Sequence, residues 1–471
     1  MIYKPAKGAI WDPSVFWYEG KYYVVFMYNP EGEPGINAKC GFIAYSDDGV
    51  HWHDGWEITP EPTGPYGGMF YKAFIGRVGG RFVMNHGVLQ PHGWQDTLRY
   101  YESTNLKDWN YIGSNMPDPQ WYLPTGRWDH MYILPKDEQD PSLGYYGYPV
   151  ATPKPGLPRG CGMCETTDGR SWKILPPPAF DWGNVTPMDM EIGGVERLSG
   201  KYVMLGGCST NNGYLVHTLV SDSPAGPFRP DKETYRLCGN LTLATDQCGH
   251  RWRASQLAAW ARCREGEKLI SNYAQSITGT WMLPLRKPVF DGLRLRLGWW
   301  EENERLKGKR LPISFSPITI DASSGRQMKQ IGLDFNPSEG VILEGTFKAG
   351  ISGSYPFAGF SFSGDDGRFL DIRLELGEKD KRRTCIGWWN VKDGFTAADE
   401  IGEGCASVRG AEANADNRFR LLVRQGLFEL YLNDFLVQTY FLNERCDGKI
   451  WLLVNDSRVE FSSLKVYNMQ I

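Results

Sequence analysis

Four similar turns, about sixty residues apart, constrain the fold of the first half of this chain. Each follows an apolar strand, is rich in Ser, Thr, Asp and Gly, and ends at an aromatic residue. Successive aromatic ends are 57, 63 and 56 residues apart. A period of this length holds about four short strands with their loops, which is typical of a propeller blade. The turns are Ser46–Trp52, Glu102–Trp109, Glu165–Trp172 and Ser221–Phe228.

A fifth unit fits between residues 245 and 295, where Trp252–Trp260 and Lys268–Tyr273 are predicted as strands. The run Trp299–Arg310 is highly charged and reads as a short helix or linker. Many short segments with period-two alternation follow it, which is typical of a two-sheet sandwich. We therefore predict an all-β chain: a five-bladed β-propeller in residues 1–298, a linker in residues 299–310 and a C-terminal β-sandwich in residues 311–471.

Three acidic residues stand at the head of apolar strands in different units of the repeat. They are Asp12, Asp129 and Glu191. In a ring of blades these strand starts would meet at the axis. Glu196 competes with Glu191, but it lies within the strand and not before it. Cleaving a glycosidic bond requires one protonated carboxyl for the leaving oxygen and one ionised carboxylate on the opposite face of the sugar. The pattern therefore predicts a glycosidase site.

Composition argues against several other classes of protein. The formal net charge is -4, and no basic block is long enough to follow a phosphate backbone, so we expect no nucleic-acid partner. No apolar run approaches the roughly 20 residues that cross a bilayer, so we expect no membrane partner. The N-terminal segment lacks an apolar signal core, which predicts a cytoplasmic protein, or a secreted one whose signal has been removed.

The ten cysteines are too sparse for a disulfide scaffold, and we expect mostly reduced thiols. Cys161 and Cys164 have the spacing of metal ligands, but no second pair follows them. We predict no metal and no cofactor.

These motifs resemble those of the invertase and β-fructosidase family of glycoside hydrolases, and the resemblance extends over nearly the whole chain. It includes the C-terminal strands Phe419–Arg424 and Leu427–Asp434, which resemble the family's appended sandwich. The family's Asn-Asp-Pro-Asn, Tyr-Gln-Tyr-Asn-Pro, Phe-Ser-Gly-Ser, Arg-Asp-Pro and Glu-Cys-Pro motifs correspond to Trp11–Ser14, Phe26–Pro30, Tyr66–Met69, Arg127–His130 and Glu191–Gly193.

Several positions depart from the family pattern. Trp11 replaces the first Asn, Trp128 separates Arg127 from its acid, and the prolines after the second and third acids are missing. Asp-Pro-Ser is nearer to the related arabinanase and xylosidase family, which shares the five-bladed core. We therefore expect a relative with an altered sugar pocket.

The resemblance implies roles for the three acids. Asp12 would be the nucleophile, Glu191 the acid/base and Asp129 the stabiliser that binds hydroxyls. In the arabinanase-like alternative, Asp12 would activate water and Asp129 would tune Glu191, and the sequence does not choose between the two. Crowded like charges should raise at least one pKa, which would keep Glu191 protonated near neutrality. The predicted sugar contacts are Trp11, Asn29, His86, Arg127, Trp128 and His130.

We thus predict a glycoside hydrolase that acts on a fructofuranoside-like or other furanoside, or on a short oligosaccharide, from its non-reducing end. A transglycosylase on the same scaffold is one alternative. A carbohydrate-binding propeller without catalysis is another, motivated by the missing prolines and the displaced Arg127. The sequence leaves open whether the sandwich supports the propeller or forms the interface of a homo-oligomer.

Overall fold

A computed structural model of the chain describes residues 1–31, 40–58, 69–89, 95–183, 189–210, 213–230, 243–245, 251–253, 258–276, 279–313, 317–363, 367–376, 384–392, 394–401, 411–441 and 448–471. The described residues form β-strands joined by turns, with short 3-10 segments at Pro141–Leu143, Arg264–Gly266 and Glu301–Leu306. The predicted all-β class is confirmed.

Four blades each consist of four consecutive antiparallel strands, with the first strand innermost. Blade 1 contains β1 Ala9–Tyr18, β2 Lys21–Asn29, β3 Cys40–Ser46 and β4 His53–Ile58; blade 2 contains β5 Met69–Val78, β6 Arg81–Leu89, β7 Gln95–Ser103 and β8 Asn110–Asn115; blade 3 contains β9 Trp128–Pro135, β10 Tyr145–Ala151, β11 Met163–Thr166 and β12 Lys173–Leu175; blade 4 contains β13 Asp189–Leu198, β14 Lys201–Thr210, β15 Gly213–Ser221 and β16 Arg229–Pro230.

The four repeated turns join the third and fourth strands of these blades. In the first turn, the Ser46 hydroxyl accepts the backbone N–H of Gly49 at 2.8 Å, and the Trp52 indole donates to the Gly49 carbonyl at 3.1 Å. The indoles of the second and third turns make the same bond at 3.1 and 3.2 Å. These bonds satisfy backbone groups that a turn would otherwise leave unpaired, which explains the recurrence of Ser or Thr before the aromatic residue.

Blade 5 closes the ring. It follows the hairpin of β17 Leu243–Thr245 and β18 Arg251–Arg253, and it carries a second hairpin, β21 Tyr273–Ser276 with β22 Gly279–Met282. Its inner strand pairs in parallel with β1 at Phe16 and Arg262, and the five inner strands contact one another in a closed circle. The predicted five-bladed propeller is confirmed. The strands of the blade are β19 Ala259–Arg262, β20 Lys268–Ser271, β23 Arg286–Phe290 and β24 Leu295–Trp299.

The C-terminal strands form two facing sheets, as predicted. Aromatic side chains fill the space between them, with the rings of Phe360 and Phe419 5.0 Å apart. One sheet contains β25 Lys307–Leu311, β26 Ile318–Asp321, β28 Val341–Ile351, β33 Asp416–Arg424, β34 Leu427–Leu432, β35 Phe435–Phe441 and β37 Ser457–Met469; the other contains β27 Gln327–Gln330, β29 Phe357–Ser363, β30 Phe369–Glu375, β31 Thr384–Asn390, β32 Gly394–Ile401 and β36 Trp451–Asn455.

The run of residues 299–310, which we predicted to be a short helix or linker, contains regular structure. It holds the 3-10 segment Glu301–Leu306, and then β25 begins at Lys307 and pairs with β37 of the sandwich. In addition, β24 of blade 5 pairs with β35 at Gly298 and Phe435. Blade 5 and one sheet of the sandwich are thus continuous in hydrogen bonding. The exact division of the chain into two domains remains our proposal.

Candidate active site

The inner strands of blades 1 to 4 are each interrupted by a β-bulge near their starting end. The register with the second strand shifts between Trp11 and Ser14, between Tyr71 and Ala73, between Trp128 and Met131, and between Ile192 and Gly194. A bulge adds an unpaired residue and changes the direction of side chains. The residues at the first three shifts are Asp12 with Pro13, Lys72, and Asp129 with His130.

Asp12 lies in the bulge of β1 with a φ of 50°, in the left-handed region that Asp tolerates better than most residues. The hydroxyl of Tyr273, from the β21–β22 hairpin of blade 5, donates to Asp12 Oδ1 at 2.7 Å. The Tyr273 ring also lies 5.9 Å from the ring of Trp11. Blade 5 therefore completes the surroundings of Asp12. Sequence reasoning missed Tyr273, because its contact with Asp12 depends on closure of the ring.

Arg127 joins the other two acids across blades 3 and 4. Its Nη2 donates to Asp129 Oδ2 at 2.7 Å, and its Nη1 donates to Glu191 Oε1. Asp129 is fully buried, whereas 27% of the Glu191 side chain and 17% of the Arg127 side chain are exposed. One guanidinium thus holds two carboxylates from neighbouring blades, and part of Glu191 remains open to a substrate.

These contacts lower the pKa values of both acids. Burial favours the neutral form of Asp129, but hydrogen bonding from His130 and the charge of Arg127 outweigh it, and its pKa lies well below the ordinary 3.8. Burial likewise opposes ionisation of Glu191, yet the charge and hydrogen bond of Arg127 lower its pKa below 4.5. The prediction that crowded acids would keep Glu191 protonated near neutrality was therefore wrong, because Arg127 supplies a cation between them.

Close backbone packing explains the glycines around the acids. A Cβ on Gly87 of β6 would lie 2.4 Å from Asp129 Oδ1, and a Cβ on Gly193 would lie 2.0 Å from the Ala258 carbonyl. Gly194 has a φ of 107° beside the ring of Tyr132. Only glycine therefore lets blades 2 and 5 approach the strands that carry Asp129 and Glu191.

Two predicted sugar contacts lie in the protein interior. Trp128 is fully buried, its indole donates to Asn115 Oδ1 at 2.9 Å, and its ring packs 5.0 Å from that of Tyr122. Asn29 is 8% exposed, and its side-chain oxygen accepts the backbone N–H of Glu31 at 3.1 Å, closing a turn. We correct both predictions: Trp128 packs in the core, and Asn29 shapes a turn.

Both predicted histidine contacts are also buried. His86 is stacked between Phe70 and Tyr101, its Nδ1 donates to the Gly87 carbonyl at 2.9 Å, and burial lowers its pKa to about 4. We therefore reassign His86 from the sugar pocket to the packing between strands. His130 is 2% exposed, and its Nε2 donates to the Ile192 carbonyl at 3.1 Å. Its backbone N–H donates to Asp129 Oδ1 at 2.6 Å, so His130 fixes the carboxylate from the protein side.

The remaining predicted contacts, Trp11 and Arg127, are partly exposed beside the acids. Tyr66, Gly67 and Gly68, which the resemblance aligned with a family motif, lie outside the described residues. Glu196, the rival of Glu191, is fully buried and accepts hydrogen bonds from Tyr132 and Arg262. Its place in an ion pair between blades favours Glu191 as the acid that can reach a substrate.

A cavity of about 360 Å³ lies beside Arg127, between blade 3 and the start of β13. Its wall includes Arg127, which binds both acids, and Met190, which precedes Glu191 in the chain. The loop between β10 and β11 forms most of its lining. The lining residues are Leu123, Arg127, Val150, Ala151, Thr152, Pro153, Lys154, Pro155, Gly156, Leu157, Arg159, Gly160 and Met190.

No group of three or more His, Cys, Asp or Glu side chains suited to a metal ion occurs within the described ranges. In that same part of the chain, no helix has the length and apolarity required to span a membrane.

The chain is a five-bladed propeller extended by a sandwich, and Asp12, Asp129 and Glu191 lie on the inner strands of blades 1, 3 and 4. No known family profile matches the chain, and no curated protein matches it in sequence. Solved structures do match it over nearly its full length.

A β-fructofuranosidase from Aspergillus kawachii aligns with a TM-score of 0.70 at 13% identity, covering 99% of this chain and 93% of that one. The sucrose-6-phosphate hydrolase from Lactobacillus gasseri gives 0.69 at 11%, covering 98% and 91%. Fructan 1-exohydrolase IIa from Cichorium intybus gives 0.68 at 13%, covering 99% and 96%. At such identities the likeness establishes a shared fold.

Proposed function

We propose that this chain is a glycoside hydrolase of the invertase type, divergent in its sugar pocket, that cleaves fructofuranosides. The observation that carries the proposal is the meeting of Asp129 and Glu191 on Arg127, in a ring whose first blade presents Asp12. The structural neighbours support it, since they include fructofuranosidases and a Bombyx mori enzyme solved in complex with sucrose.

The proposed reaction uses the acids in the roles that the resemblance implies. Glu191 donates its proton to the leaving oxygen while the carboxylate of Asp12 attacks the anomeric carbon, and the bond to the leaving sugar breaks. Water then attacks the glycosyl–enzyme ester and gives its proton to Glu191, which restores both groups. Asp129, buried and held ionised, stabilises positive charge that develops on the sugar ring. In the inverting alternative, Asp12 instead takes the proton of the attacking water.

We further propose that the cavity beside Arg127 receives the leaving sugar. Its wall includes the residue before Glu191, and the acid that protonates the leaving oxygen must stand between the two sugars.

The test is hydrolysis of a panel containing sucrose, sucrose 6-phosphate, 1-kestose, inulin, arabinan and galactosides. Asp12→Asn and Glu191→Gln should each lower kcat at least about a hundredfold, whereas the exposed control Asp47→Asn should not. Product analysis at high substrate separates hydrolysis from transfer to a second sugar. Unchanged activity in both acid variants would refute the assignment.

A carbohydrate-binding propeller without catalysis is the second candidate. The observation in its favour is that Arg127 pairs with Glu191 and lowers its pKa, which disfavours the protonated acid at neutral pH. Calorimetry combined with product analysis at acidic and neutral pH distinguishes the two. Binding without turnover at every pH would support a carbohydrate-binding function. Turnover that appears on acidification would support the hydrolase.

A further inference from the structure

A buried ion pair crosses the junction between propeller and sandwich. Arg286, the first residue of β23 in blade 5, donates from Nη2 to Glu429 of β34, and both residues are fully buried. Two sandwich hydroxyls support the carboxylate: Tyr431 donates to Glu429 Oε2 at 3.0 Å, and Thr439 donates to Oε1 at 3.2 Å. The sandwich thus supplies a fixed negative charge to the interior of blade 5.

On the propeller side, the same guanidinium holds the segment that precedes Tyr273. Arg286 Nη1 donates to the side-chain oxygen of Asn272, and the Asn272 carbonyl accepts the backbone N–H of Leu283 at 3.0 Å. Asn272 is fully buried at the point where β20 ends and the β21–β22 hairpin begins. Asn272 thus directly precedes the hairpin and also binds Leu283, the residue that follows it.

The hairpin in turn carries the only described hydrogen-bond donor to the Asp12 side chain, the Tyr273 hydroxyl at 2.7 Å. This bond occupies Oδ1. Within the described part of the chain, a continuous series of contacts runs from Glu429 through Arg286 and Asn272 to Tyr273 and Asp12.

We infer that the C-terminal sandwich positions Asp12 through this series, with Glu429, Arg286 and Asn272 as positioning residues. Glu429 balances the buried charge of Arg286, Arg286 fixes Asn272, and Asn272 sets where the Tyr273 hydroxyl lies. The Tyr273 bond to Oδ1 then fixes the orientation of the Asp12 carboxylate. Loss of the charge on Glu429 removes this carboxylate from a buried guanidinium, which must then shift.

The first test needs no catalytic activity and therefore does not depend on the proposed function. In Glu429→Gln, hydrogen–deuterium exchange should become faster in residues 272–276, while β9 in blade 3 should be unchanged. The milder variant Thr439→Val, which keeps the charge and removes one hydrogen bond, should show the same change to a smaller extent and serves if Glu429→Gln does not fold. Unchanged exchange at residues 272–276 in a folded variant would overturn the inference.

The matched control is Asp371→Asn, which breaks another buried ion pair of the sandwich, that of Asp371 with Arg326 at 2.8 Å. It lies in the opposite sheet and has no described contact with the hairpin. It should lower thermal stability without altering exchange at residues 272–276. If it alters that exchange as much as Glu429→Gln does, general loosening of the sandwich, and not this series of contacts, would be responsible.

The second test rests on the proposed function and uses a double-mutant cycle on turnover. Glu429→Gln should lower kcat about tenfold with KM changed less than about twofold, because Asp12 is misplaced while the sugar still binds. In a Tyr273→Phe background the same change should lower kcat by less than about threefold, since the path to Asp12 is already cut. Independent, multiplying losses would overturn the inference. An inactive wild-type protein would reject the proposed function and leave the exchange result to decide.

Discussion

The hydroxyl of Tyr273 donates a hydrogen bond to Oδ1 of Asp12 across 2.7 Å, joining residues that are 261 positions apart in the chain. This bond brings blade 5, which contributes none of the three acids, into the site. Tyr273→Phe keeps the ring against Trp11 and removes only the hydroxyl. Because a hydrogen bond to a charged group contributes about 1.5–3 kcal/mol, we expect kcat to fall roughly 10- to 100-fold.

Steady-state kinetics on the best substrate of the panel measure this loss. The control is Tyr111→Phe, since Tyr111 is 54% exposed and distant from Asp12 in the fold. A Tyr273→Phe enzyme with wild-type kcat would show that the bond has no role in turnover.

Gly87 permits the close approach of β6 to the carboxylate of Asp129. In Gly87→Ala, the new methyl group would lie 2.4 Å from Oδ1 and must displace the carboxylate or the strand. A misplacement of about 1 Å costs roughly a hundredfold in rate, so we expect kcat to fall by about that factor while the protein remains folded.

The matched control for this variant is Gly350→Ala in the sandwich, where the nearest atom to the new methyl group is 3.8 Å away. It should retain full activity. Equal activity of the two variants would mean that the position of Asp129 is unimportant for turnover.

Arg127 controls the pH dependence of the proposed acid. Glu191 is active as an acid only when protonated, and Arg127 lowers its pKa from the ordinary 4.5, so kcat/KM should decrease as pH rises through this lowered pKa. In Arg127→Gln the cation is absent, and burial, the largest influence on the Glu191 pKa, outweighs the smaller opposing effect of His130. The decrease of kcat/KM on the alkaline side should therefore move to higher pH. We also expect kcat to fall at least about tenfold, because the acids lose their common anchor.

A series of kcat/KM values between pH 3 and pH 8 would reveal the shift. Arg418→Gln, which breaks an exposed ion pair with Asp434, is the control and should leave the profile in place. If the alkaline decrease in kcat/KM occurs at the same pH in Arg127→Gln, Glu191 is not the acid whose ionisation the profile reports.

His86 links the stability of the propeller to pH. Its pKa is about 4 in the folded protein against an ordinary 6.5, so between these values the unfolded chain binds a proton that the folded chain does not. Stability from this group is therefore complete above pH 6.5 and is lost as pH falls toward 4, by up to about 3 kcal/mol. His86→Phe retains a ring between Phe70 and Tyr101 and should flatten this dependence.

Chemical denaturation at pH 7 and pH 4 measures the free energy of unfolding of wild type and variant. The stability of the variant relative to wild type should increase on acidification. Parallel curves for wild type and variant would show that His86 is not the group that titrates.

The cavity beside Arg127 predicts a change in the binding of long substrates. Leu123→Trp should partly fill it, raising KM for 1-kestose roughly tenfold while leaving the hydrolysis of a small aryl fructoside nearly unchanged. Leu143→Trp, at a position 54% exposed in another loop, controls for the added ring. An equal effect on both substrates would show that the leaving sugar does not bind in this cavity.

The sequence predicted the arrangement of blades and sheets better than the orientation of side chains. The turns from Ser46 to Phe228 are local, so their spacing was enough to identify the blades. We predicted Trp128 as a sugar contact because it neighbours Asp129, yet successive residues of a strand face opposite sides of the sheet, and Trp128 faces the core. A single added residue reverses which face a side chain occupies, and sequence patterns do not record it. The bond of Tyr273 to Asp12 and the ion pair of Arg127 with Glu191 join residues that are far apart in the chain, and no local pattern reveals them.

The β-bulges of the inner strands place several polar residues outside the regular strand pairing. Because Asp12, Lys72 and Asp129 stand where the ladder is already interrupted, exchanging any of them for another side chain leaves the in-and-out alternation of the remaining strand untouched. A lineage can thus change these side chains while each sheet keeps its pairing. This is consistent with a chain whose shape follows those of solved enzymes closely although only 11–14% of its residues coincide with theirs.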